Sequence, residues 1–119
     1  MNKILLFGLA FAFCLVGNGL EIGDKAPELQ VSKWVKGSRV KISDGLDKNV
    51  YVVEIWATWC PTCKITIPHL SELQKRYADK GLVVVGVSSE DEKTVGNFAA
   101  KQADMNYNVA VDDARKTSD

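Results

Sequence analysis

One eight-residue segment, Trp56-Ala57-Thr58-Trp59-Cys60-Pro61-Thr62-Cys63, constrains this chain more than any other feature because of what flanks it. Upstream, residues 50–57 are rich in β-branched and aromatic side chains and apolar except for Glu54. That pattern suits a strand buried on both faces of a parallel sheet. Downstream, Ile67, Leu70, Leu73 and Tyr77 recur at spacings of three, three and four, which predicts a helix over residues 61–80 with one apolar stripe. Gly81 is suited to end it. A strand feeding a helix through two cysteines is a strong constraint on both topology and chemistry.

The remaining elements follow from the same signals. Residues 21–30 form a polar lead-in, and residues 31–42 predict a β-hairpin turning at Lys36-Gly37-Ser38-Arg39. Residues 82–87 predict a second buried strand and residues 107–111 a third. Residues 90–103 predict a shorter helix that opens with acids, as the positive end of its dipole favours. Strand, helix, strand, helix, strand with short loops makes an α/β fold with a mainly parallel sheet. No repeat or low-complexity tract interrupts it.

With Cys60 as N-cap, its sulfur lies beside unpaired backbone N–H groups and the positive helix end, both of which stabilise a thiolate. Pro61 falls at the first helical position, where its fixed φ suits helix entry, and Lys64 adds a positive charge. Cys63, one turn in, is close enough to pair with Cys60 and more shielded. Cys60 is therefore the expected nucleophile and Cys63 the residue that resolves its mixed disulfide. The alternatives are a structural disulfide or half of a zinc site. Structural zinc needs four N or S ligands, and the chain has one His and no second Cys pair.

Glu54, six residues before Cys60, is a lone carboxylate in an apolar strand. Burial would disfavour its charged form and suit it to take the proton from Cys63. The alternative is a strand-end acid reaching solvent or a lysine. Trp59, Pro61 and Thr62 are expected to form the surface around Cys60, with plain packing as the alternative for Trp59. Trp56 reads as core. His69 lies too far along the helix to serve as a base, Pro68 should kink that helix, and Trp34 has no partner that suggests chemistry.

The N-terminus carries a different signal. Met1-Asn2-Lys3 precedes a 13-residue apolar run over residues 4–16 and then Gly17-Asn18-Gly19. This predicts a signal peptide or N-terminal anchor over residues 1–19, cut before Leu20. The run is short of the roughly 20 apolar residues of a spanning helix. Cys14 follows the bulky Phe13, which argues against lipoprotein processing. The expected location is extracytoplasmic, in the periplasm or cell envelope, where a Cys pair can persist as a disulfide.

Composition closes off other classes. The 119 residues suffice for one domain, and 46% hydrophobic with 25% charged residues excludes disorder and a polytopic membrane protein. Lys+Arg and Asp+Glu are each 15, so no basic excess points to nucleic acid. Membrane attachment is expected only through an uncleaved N-terminus. No cofactor and no resident metal are expected.

The residues just described resemble the thioredoxin superfamily, and within it the secreted TlpA-like thiol-disulfide oxidoreductases. The resemblance rests on Gly23-Asp24-Lys25-Ala26-Pro27, Gly37-Ser38-Arg39-Val40-Lys41-Ile42-Ser43-Asp44, the Trp56–Lys64 motif and Pro68, and it runs over residues 22–111. It implies a thioredoxin-like α/β fold with an N-terminal β-hairpin extension, and a redox disulfide between Cys60 and Cys63. Glu54 falls where many thioredoxins carry a buried acid. The family continues through a cis-proline loop, a strand pair and a final helix. Here Pro27, Pro61 and Pro68 are the prolines, and none follows the first helix. Residues 20–119 are thus expected to be an incomplete thioredoxin-like domain, lacking roughly 40 residues at typical element lengths. The strand over residues 50–55 would then be an unprotected edge.

The function these observations favour is thiol-disulfide exchange with exported cysteine-containing proteins, more as reductase than oxidase, with electrons from a membrane thiol donor. A truncated non-catalytic or metal-holding module, in which Cys60 and Cys63 of two chains share a metal, is the alternative. A peroxiredoxin is disfavoured, since that family lacks the Trp-Cys-x-x-Cys pattern.

Overall fold

Val84, Val85, Val87 and Ser88 are each at most 1% exposed. Consecutive strand residues face opposite ways, so this strand is covered on both sides of its sheet. It is the third of four strands among the described residues. The computed structural model describes residues 19–117. Their elements are β1 (Lys33–Lys36), a 3-10 turn (Ile42–Gly45), β2 (Val50–Ile55), α1 (Pro61–Tyr77), a second 3-10 turn (Ala78–Lys80), β3 (Leu82–Ser88), α2 (Glu92–Lys101) and β4 (Asn108–Val111). The expected leader, apart from Gly19, lies outside the described residues.

The sheet order is β1-β4-β3-β2. β3 pairs in parallel with β2, from Val50 opposite Leu82 to Ile55 opposite Val87, and in parallel with β4. α1 packs on β3, and α2 on β1 and β4. The core joins Trp56, Ile67, Val84, Val95, Ala99, Met105, Tyr107, Val109 and Val111.

Three expectations change. The β-hairpin over residues 31–42 does not form. β1 pairs antiparallel with β4 instead, Lys33 opposite Val111 and Trp34 opposite Ala110, and residues 38–41 are not strand. The turn at Gly37 is real (φ 74°), but it delivers the Ser38 N–H to the Asn108 side chain at 2.8 Å, so the chain is held by β4 and not by its own return. Second, β2 is not buried on both faces. Among the described residues it is an edge strand, the place that the family resemblance implied, and Val53 and Ile55 are 38% and 51% exposed.

Third, the buried face of α1 is displaced from the predicted stripe. Ile67 is fully buried and Leu70 packs on the core, but Leu73 and Tyr77 are 41% and 37% exposed. Ser71 and Gln74 take those places because they serve the backbone beneath them. The Gln74 amide donates to Leu82 O (2.9 Å) and accepts from Val84 N (2.7 Å), and the Ser71 hydroxyl accepts from Asn106 N (3.2 Å). Polar side chains on a sheet-facing surface are tolerated when they satisfy backbone groups in this way. At the end of this stretch Gly81 adopts a left-handed φ of 88°. A Cβ there would lie 2.6 Å from Lys48 O, so glycine is required on both counts.

Candidate active site

β2 ends at Ile55, and Trp56 continues its ladder by donating its N–H to Val87 O at 3.0 Å. The indole then turns inward, 3% exposed, and lies 5.3 Å from the Phe98 ring. Residues 57–60 make a turn closed by Cys60 N–H to Ala57 O (3.1 Å), and α1 begins at Pro61. The chain thus leaves the sheet at a buried tryptophan and enters the helix at a cysteine.

Cys60 is the N-cap of α1 with extended backbone angles, and the Cys63 N–H donates to its sulfur at 3.2 Å. The Thr62 hydroxyl lies 3.4 Å from the same sulfur. A negative charge on Sγ would be met by that N–H, the hydroxyl and the helix dipole. In this structure Cys60 and Cys63 form a disulfide, with Cα atoms 5.3 Å apart. Both are half-buried, but Cys63 packs against the core while Cys60 is flanked by exposed Trp59, Pro61 and Thr62. Trp59 is 76% exposed, and Trp56 is core, as the sequence suggested for Trp56. Lys64 directs its ammonium over the Phe98 ring, 5.8 Å from the centroid.

Glu54 is half-buried, and each of its oxygens has a hydroxyl donor. Thr66 Oγ1 lies 2.7 Å from Oε1 and Tyr107 OH lies 3.2 Å from Oε2. Thr66 Oγ1 also lies 2.8 Å from Cys63 O, so its single hydrogen serves the carboxylate and the carbonyl in turn. Burial, then the charge of Glu54 and its hydrogen bond, push the Tyr107 phenol far above its ordinary value, keeping it a donor. A one-side-chain link therefore joins Glu54 to the backbone of Cys63. His69 is exposed on the helix, away from this arrangement.

Thr66, Tyr107 and Glu90 were not singled out from the sequence. Thr66 has a local signal, one helical turn beyond Cys63 on the same face. Tyr107 has none, because its partner lies 53 residues earlier. In the sequence Glu90 is the first acid of the helix predicted over residues 90–103. That helix starts at Glu92 with Asp91 as its cap, and Glu90 sits in the loop before it.

The family model described as Redoxin matches residues 21–119. A thiol-disulfide oxidoreductase ResA from Bacillus cereus is 32% identical over 98 residues, covering 82% of this chain and 55% of that protein. The thioredoxin-like protein YneN of Bacillus subtilis is 35% identical over 98 residues, covering 79% of this chain and 55% of that one. Among solved structures, a Chlorobium tepidum protein assigned as thiol:disulfide interchange protein DsbE superposes with a TM-score of 0.71 at 31% identity. It covers 83% of this chain and 68% of that one. The chain spans about half the length of the curated relatives it matches. The mixed sheet with its helices is the thioredoxin-like α/β fold that the motif implied.

Proposed function

The chain belongs to the Redoxin family and is a TlpA-like member of the thioredoxin superfamily, and on that footing we propose that it exchanges disulfides with other proteins through Cys60 and Cys63. The observation that carries this reading is the Cys60–Cys63 disulfide at the start of α1, with the Cys60 sulfur accepting the Cys63 N–H. In the reduced protein, the Cys60 thiolate attacks one sulfur of a partner disulfide. A Cys60–partner bond forms as the partner's S–S bond breaks and its second sulfur leaves as thiolate. Cys63 then loses its proton and attacks Cys60 Sγ, closing the intramolecular disulfide and releasing the partner's remaining thiol. Two electrons pass from the cysteine pair to the partner.

Glu54 is the acceptor we assign for the Cys63 proton, supported by its half-buried position and its link through Thr66 to the Cys63 backbone. Trp59, Pro61 and Thr62 form the surface on which the partner's cysteine docks, supported by their exposure beside Cys60. Reduction of the partner is the favoured direction, and its partners are cysteine-containing exported proteins with a membrane thiol donor restoring the dithiol. This export reading rests on the leader over residues 1–19, with an extracytoplasmic domain over residues 20–119. No helix among the described residues is long and apolar enough to cross a membrane.

The test is turnover of a disulfide-bonded protein by the purified chain with dithiothreitol, beside a Cys60→Ser variant. Turnover that falls to the dithiothreitol background in Cys60→Ser supports the reading. Equal rates with and without Cys60 would remove it.

A further inference from the structure

The turn over residues 57–60 has a backbone donor that it cannot satisfy itself. Thr58 is a central residue of that turn, and its N–H points out of the Ala57–Cys60 hydrogen bond that closes it. Glu90, 32 residues later on the β3–α2 loop, accepts that N–H at 2.7 Å through Oε2 and the Thr58 hydroxyl at 2.6 Å through Oε1. Both donors of one residue are thus held by both oxygens of one carboxylate.

Glu90 is itself fixed. The Ser88 hydroxyl, on a residue with no solvent exposure, donates to Oε2 at 3.0 Å and accepts the Glu90 N–H at 3.3 Å. Ser88 closes β3, whose covering on both faces makes it the most constrained strand of the sheet. The carboxylate therefore ties the turn that carries Trp59 and Cys60 to that strand. Burial pulls the Glu90 carboxyl upward, but the Thr58 and Ser88 hydrogen bonds outweigh it and hold the group below its ordinary value. It stays ionised, and so an acceptor at both oxygens, throughout the neutral range.

We infer that Glu90 is a positioning residue for the cysteine pair: by gripping Thr58 it fixes the turn so that Cys60 Sγ stays at the N-cap, within reach of the Cys63 N–H. The inference rests on the reading of Cys60 as the attacking thiol. It differs from a purely electrostatic role in sign. A carboxylate acting only as a nearby negative charge would disfavour the Cys60 thiolate, and removing it would make Cys60 more reactive. A carboxylate acting as a clamp has the opposite effect, because releasing the turn takes the sulfur away from the N–H and the helix end.

The experiment is the pH profile of iodoacetamide alkylation of reduced Cys60, assigned to that residue by tandem mass spectrometry in the full chain. Thr58→Val keeps every charge and removes one donor, Thr58→Ser restores that donor, and Glu90→Gln removes the charge with little change of volume. The clamp predicts that Thr58→Val and Glu90→Gln each slow alkylation near neutral pH by about three- to tenfold, an upward displacement of the profile by up to about one pH unit. Thr58→Ser should keep the wild-type rate. The double variant should be slowed by less than the product of the two single effects, since both weaken the same Thr58–Glu90 grip. Faster alkylation in Glu90→Gln with an unchanged Thr58→Val would overturn the inference in favour of simple charge. Unchanged profiles with a lowered Tm alone would overturn it in favour of a structural tie. If Glu90→Gln does not fold, Thr58→Val against Thr58→Ser decides by itself. A wild-type Cys60 no more reactive than Cys63 would overturn the attacking role, and this inference with it.

Discussion

β2 and β3 have nearly interchangeable sequences, Val-Tyr-Val-Val-Glu-Ile and Leu-Val-Val-Val-Gly-Val-Ser, yet their surroundings differ sharply. No residue of β2 is fully buried, whereas Val84 through Ser88 of β3 all are. The difference follows sheet order, since among the described residues β3 has a strand on each side and β2 has one. The cysteine pair sits at the end of the exposed strand. Its alignment comes from the buried one, through the Trp56 N–H on Val87 O and through Glu90 beyond Ser88. A cysteine pair at an accessible edge and side chains anchored in a rigid interior make a contrast that single-residue changes can break.

The largest expected contrast is in stability. Met105 is fully buried in the core that β3 and β4 share, so Met105→Ala should cost about 2–5 kcal/mol. Ile55→Ala on half-exposed β2 should cost about 1 kcal/mol or less. Urea denaturation of both variants measures the gap, and equal losses would erase the distinction between the strands. Next in size is Gly86→Ala, which probes the contact between β3 and Trp56. A Cβ there would lie 3.0 Å from Trp56 Nε1 and 3.1 Å from Tyr107 Cε2, both on buried rings. Overpacking of about 1–3 kcal/mol is expected, read as a lowered denaturation midpoint.

The smallest effect concerns acid. The folded protein holds the Glu90 carboxyl below its ordinary value of 4.5, so the unfolded chain binds protons there first as pH falls. The stabilisation from Glu90 is complete above that value and fades below it. Glu28, bonded by the Ser43 and Ile42 N–H groups, and Asp91, bonded by Thr94, behave in the same direction. A pH series of thermal melts should therefore show a shallower acid limb for Glu90→Gln than for the wild type. Parallel limbs would mean that the carboxylate is not held in the folded state.

What the sequence revealed, it revealed locally. Cys60 and Cys63, the N-cap and Pro61 lie within four residues, and the boundaries of α1 and β3 follow from short-range periodicity and Gly81. Readings that failed depended on distant partners. Residues 33–36 carry a strand signal, but nothing nearby says that their mate is 108–111 and not the segment just past Gly37. An apolar run reports that a strand is apolar and not its place in the sheet, so the pattern alone suggests burial of β2 on both faces, and only the family resemblance implied its edge position. The stripe through Leu73 and Tyr77 misplaced the sheet-facing side of α1 because Gln74 and Ser71 serve backbone groups of other elements. Glu90 was hidden in the same way, its partner Thr58 being 32 residues away.

The central claim is that Cys60 attacks and Cys63 resolves. Its most direct test is to mix the reduced Cys63→Ser variant with a disulfide-bonded protein and locate the trapped species by mass spectrometry. The account predicts a stable mixed disulfide on Cys60, absent when Cys60→Ser is used in its place. A mixed disulfide that forms on Cys63 in Cys60→Ser, with none on Cys60 in Cys63→Ser, would contradict it.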